Sequence, residues 1–134
     1  MKSTYELASK YVVPAIKREL VLELLKMGFM EVEIAKTLGL SPSLVTRYLK
    51  GERGNSINIS SYKDISNMVK ELASRIARNS LNAYEVAREI DRIAMIFMAK
   101  KYLCGLHSRI EPGIDITKCN ICPELYRYQL SNDF

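Results

Sequence analysis

The twenty residues VEIAKTLGLSPSLVTRYLKG, from Val32 to Gly51, restrict the fold more tightly than any other stretch of this chain. Ile34, Ala35 and Leu38 fall on one face of a short helix. Gly39 follows at the point where a left-handed backbone allows a sharp turn. Ser41 is a helix N-cap and Pro42 suits the first position of the helix it starts. Val45, Tyr48 and Leu49 then point back toward the first helix, and Ala35 is small enough for the two to cross closely. The spacing therefore predicts two short helices joined by a tight turn.

The remaining chain also reads as helix after helix. Ser3-x-x-Glu6 has capping-box spacing and predicts a first helix over about residues 4–10. Pro14 opens a second, with Ile16, Leu20, Leu24 and Met27 along one stripe and Gly28 as its stop. GERGNSINISSYKD is a loop with a brief extended piece at INI. Ile65, Met68, Val69, Leu72 and Ile76 share one face of a helix over residues 64–78. Asn82-x-x-Glu85 repeats the capping spacing and opens the longest helix, residues 83–103, which Gly105 ends. No segment alternates as a strand would. The expected fold class is all-α: a helical bundle with a helix-turn-helix, a long C-terminal helix and a small Cys/His tail. The chain is expected to divide into residues 1–54 around this helix pair, 55–103 as a helical core, and 104–134 as the tail.

Ala35, Gly39 and Val45, with the closing YLKG-x-R of residues 48–53, resemble the helix-turn-helix of Cro/repressor-type (XRE-like) transcription regulators. The order of helices also resembles small archaeal regulators in which such a domain precedes a cysteine-bearing tail. The specific likeness covers residues 31–53, and the loop after it is longer than is usual behind a recognition helix. The resemblance implies that the N-terminal part of the second helix enters the major groove of DNA. Ser43, Thr46 and Arg47 would then reach base edges, Arg47 with a two-pronged contact to guanine. Lys50, Arg53 and the Ser41 cap would position phosphates. An ordinary packed helix pair, with Arg47 a solvated charge, is the competing reading.

The charge distribution agrees with a polyanionic partner. Residues 1–54 carry 9 basic against 6 acidic side chains, residues 55–103 carry 8 against 5, and residues 104–134 carry 3 against 4. The net charge of +5 thus belongs to the body, which permits nucleic acid as a partner without requiring it. No apolar run is long enough to span a bilayer, and MKSTYELASKY is too polar for a signal peptide, so a cytoplasmic protein with no membrane partner is expected. Val86, Ile90, Ile93 and Phe97 repeat at four-three-four spacing, a seam that two helices could share. A homodimer reading paired half-sites is expected from it, with a core helix as the alternative.

All three cysteines and the single histidine lie between Cys104 and Cys122. Cys104 and His107 are three apart, and Cys119-Asn120-Ile121-Cys122 is the two-residue knuckle at which both sulfurs can meet one metal. Cys104, His107, Cys119 and Cys122 make a closed tetrahedral set for structural zinc. An iron–sulfur cluster is the alternative, although such clusters usually take four cysteines. A disulfide with one thiol left over, or plain buried cysteines, are further readings. The tail beyond Leu103 has few apolar residues and is expected to order through such a crosslink. Paired carboxylates, a phosphate loop and a serine triad are not apparent, so no enzyme is expected. The expected function is a sequence-specific DNA-binding regulator with a metal or iron–sulfur site. The alternatives are a thiol-redox protein, for which Cys119-x-x-Cys122 lacks a preceding strand, and a metal-knuckle interaction module.

Overall fold

A computed structural model describes the backbone of residues 1–132 and the side chains of residues 1–127. Among the described residues every regular element is helical. The chain opens with α1 (Thr4–Leu7), passes through a π-helical turn (Ala8–Val12) and continues directly into α2 (Val13–Lys26). Where the sequence suggests two helices, one rod forms. Pro14 is the reason. A proline ring inside a regular helix collides with the carbonyl four residues back and leaves it unbonded. Here Val13 N–H instead bonds the carbonyl of Ala8, five residues back, and the widened turn accommodates the ring. Ser3 occupies the N-cap position, but its side chain makes no capping hydrogen bond. Tertiary bonds orient this end: Lys2 N–H donates to Glu111 at 2.8 Å, and the Thr4 and Tyr126 hydroxyls lie 3.0 Å apart.

Gly28, at φ +94°, ends α2 as the sequence predicts, and Phe29 N–H returns to the carbonyl of Leu24 at 3.1 Å. α3 (Glu31–Leu38) and α4 (Pro42–Leu49) follow. Between them Gly39 takes φ +66°, ψ +34°, and Leu40 N–H bonds the Ala35 carbonyl at 2.8 Å. The Ser41 hydroxyl accepts from Leu44 N–H at 3.2 Å, with Pro42 at the start of α4. A single 3-10 turn at Ile59–Ser61 pins the next loop through buried Ile59.

α5 (Lys63–Ala77) and α6 (Ala83–Ala99) pair with α2. The Asn82 box forms fully: Asn82 N–H donates to Glu85 at 3.1 Å and Glu85 N–H to Asn82 at 2.9 Å. The long helix stops earlier than its apolar pattern suggests. Lys101 adopts φ +63°, and its N–H and that of Tyr102 return to the carbonyls of Met98 and Phe97. Lys100 and the Tyr102 hydroxyl are both drawn to Asp64, the latter at 2.9 Å. Tyr102 also packs edge-on against Phe97, with centroids 5.4 Å apart. These contacts turn the chain back toward α5, so Gly105 does not end α6 but lies within α7 (Cys104–Ile110).

α8 (Ile121–Asn132) packs along α6, an element the sparse apolar pattern of the tail does not announce. Its Tyr126 is 4% exposed and meets the Tyr5 ring at 5.9 Å. The tail therefore has an apolar anchor of its own. Val86, Ile90, Ile93 and Phe97, the expected dimer seam, are 0–4% exposed within the single chain. That stripe is core, because α2 and α5 already cover it. The core cluster extends from Leu7 to Tyr126 and includes residues on both sides of the expected boundaries at residues 54 and 103. No helix among the described residues is long and apolar enough to cross a membrane.

Candidate nucleic-acid interface and thiol cluster

α4 has two unlike faces because its apolar residues recur three apart. Val45 and Tyr48, at 0% and 1% exposure, turn into the core against α2 and α3. Ser41, Ser43, Arg47, Lys50 and Arg53 are exposed, and Thr46 is half-buried. All six residues expected at DNA therefore lie in or directly beside α4, outside the core. Their hydroxyls are partly committed. Ser41 is the cap and lies 3.1 Å from the Ser43 hydroxyl, while Thr46 donates to the Pro42 carbonyl at 3.1 Å. Thr46 thus offers an acceptor to a ligand and holds its proton within the helix. Arg47, Lys50 and Arg53 form no ion pair among the described residues, although exposed Glu52 adjoins them in sequence. A guanidinium without an acidic partner keeps all its donors available.

One residue positions this face that the sequence did not single out. Arg18, on α2, donates from Nε to the Tyr48 carbonyl at 3.1 Å. A cation at the carbonyl end of a helix is favourable both as a cap and against the helix dipole. The bond joins α4 to the central rod. Thirty residues separate the partners, so no local spacing could reveal it.

The three thiols lie at or just before the starts of α7 and α8. Cys104 begins α7, Cys122 lies in the first turn of α8, and Cys119 precedes it. Lys101 organises the approach by donating from Nζ to the carbonyls of Ile116 and Cys119, both at 2.7 Å. All three cysteines are free and half-buried. Burial pushes the Cys104 thiol up, against the pull of Lys101. Burial first, then neighbouring Cys104 and Cys119, push Cys122 up to about 11. The three sulfurs therefore feel one another electrostatically.

His107 is engaged elsewhere. It is buried, and its Nε2 lies 3.0 Å from Glu111 Oε1. The Lys2 N–H and then His107 hold the Glu111 carboxyl below its ordinary range. The four-residue step from His107 to Glu111 on a helix was a legible sign of this pairing. Of the four expected metal ligands, Cys104, Cys119 and Cys122 act on one another electrostatically, while His107 turns to a carboxylate. No group of three or more His, Cys, Asp or Glu side chains among the described residues stands in metal-holding arrangement. Compared with known families, curated proteins and solved structures, the chain finds no match.

Proposed function

We propose that the protein is a sequence-specific DNA-binding transcription regulator, not an enzyme, in which α3 and α4 act as a helix-turn-helix. The observation that carries this reading is the outer face of α4. It offers Ser43, Thr46, Arg47, Lys50 and Arg53 to solvent, with its basic groups unpaired among the described residues. With α4 in the major groove, Arg47 contacts a guanine edge, while Ser43 and Thr46 read beside it. Lys50, Arg53 and Ser41 hold phosphates. Two copies on paired half-sites belong to the proposal. Because the α6 seam is core, they would meet through another surface.

Binding titrations on genomic duplexes test the reading. Arg47→Ala should weaken specific binding by about 1–3 kcal/mol and relax preference at one base position. Lys50→Ala should weaken all duplexes alike and lower the salt slope by about one. Wild-type affinity in the double alanine variant would remove α4 from the groove.

The proposal also assigns a metal to the thiol cluster. Three soft donors in one neighbourhood suit zinc or an iron–sulfur centre. His107 would complete a tetrahedral set only by leaving Glu111. Zinc would clasp the tail against α6, whereas a cluster would add redox sensitivity. Protein purified without oxygen should be colourless with zinc, or brown with iron and sulfide, and Cys119→Ser should lose the metal. A metal-free protein whose stability and DNA binding ignore that substitution would return the cysteines to packing. Thiol-redox catalysis is disfavoured, since no strand precedes Cys119-x-x-Cys122 among the described residues, where a thioredoxin-like motif would follow one.

A further inference from the structure

A cavity of about 280 Å³ lies between the π-helical turn, α6 and α8, away from the outer face of α4. Tyr5, Ser9, Asp91, Met95, Met98 and Tyr126 line it, and its remaining lining is aliphatic. Its volume suits a molecule of a few heavy atoms rather than a large cofactor.

Three features of the lining bear on what it would hold. The Tyr5 and Tyr126 rings stand at 84° to one another with centroids 5.9 Å apart, as adjacent walls of an aromatic cage do. The Tyr126 hydroxyl is already bonded to Thr4, so its ring serves the cavity as a surface rather than as a donor. Ring faces carry partial negative charge and attract cations, most strongly those that shed water easily. Met95 and Met98 add polarisable thioethers to this apolar surround. Finally, Asp91 is the only formally charged residue among the described lining, and it has no ion-pair partner among the described residues.

A carboxylate without a partner beside two aromatic rings repels anions and leaves a neutral apolar ligand with an unused charge. We propose that this cavity is a binding site for a small organic cation, of the methylated-ammonium or alkylamine class. The apolar body rests on Met95 and Met98, the cationic end meets the Tyr5 and Tyr126 rings, and Asp91 supplies the countercharge. The site stands independently of any DNA contact.

Choline and its neutral isostere 3,3-dimethylbutan-1-ol are suitable probes, titrated into methyl-labelled protein at matched ionic strength. The readout is the methyl resonances of Met95 and Met98. Choline should shift both saturably and bind about tenfold more tightly than the alcohol. Asp91→Asn and Tyr5→Ala alter exposed residues, so both variants should keep the wild-type melting curve. Each should lose about tenfold in choline affinity. Equal binding of the alcohol, unmoved methyls with choline, or full affinity in Asp91→Asn would each overturn the assignment.

Discussion

Gly39 and Gly54 both hold positive φ, at +66° and +73°, yet their surroundings differ. A Cβ at Gly39 would meet nothing within 4 Å, whereas one at Gly54 would lie 2.4 Å from the Pro14 carbonyl oxygen. Gly39→Ala should therefore cost only the left-handed strain, about 1–2 kcal/mol. Gly54→Ala adds a collision with backbone and should cost on the order of 3 kcal/mol or more. Urea unfolding of both variants checks this, and equal costs would contradict the close approach of the loop to α2. The residues legible in the sequence are those whose partners lie within one turn: Gly28, Gly39, Ser41 and the Asn82–Glu85 box. Arg18 on the Tyr48 carbonyl and Lys101 on the carbonyls of Ile116 and Cys119 were hidden, because tertiary folding alone brings them together.

At the scale of elements, apolar periodicity located α2, α5 and α6 but could not say what covers them. The four-three-four stripe of α6 reads equally as a dimer seam or as core, and its near-complete burial makes it core. Ile93→Asp should thus unfold the protein rather than separate two intact copies. The buried, unpaired carboxylate should cost about 3 kcal/mol or more. Circular dichroism with light scattering distinguishes the outcomes, and a folded variant of halved mass would refute the core assignment. α8 escaped notice for a different reason. Among its described side chains Tyr126 is the buried one, and a single aromatic side chain buries much apolar area without creating a periodic pattern. The end of α6 was misplaced because Lys101, a lysine at φ +63°, does what glycine was expected to do.

Across the whole molecule, the rod of α1, the π-helical turn and α2 is the common support. α4 hangs from it through Arg18, α5 and α6 pack on it, and α8 reaches it through Tyr126. The helical class was legible throughout, since no stretch alternates as a strand. One apolar core cluster draws residues from all three expected segments, from Leu7 to Tyr126. The cysteines were legible as a cluster along the chain, and the four-residue step to Glu111 was the sign that His107 pairs with a carboxylate instead. The central claim, that α4 reads DNA sequence, is tested most directly by selection from a random pool of duplexes, carried out in parallel with wild type and the Arg47→Ala variant. The account predicts an enriched site containing a guanine whose preference disappears in the variant while flanking positions persist. No enrichment by the wild-type protein, or the same site with the same guanine preference in both, would contradict it.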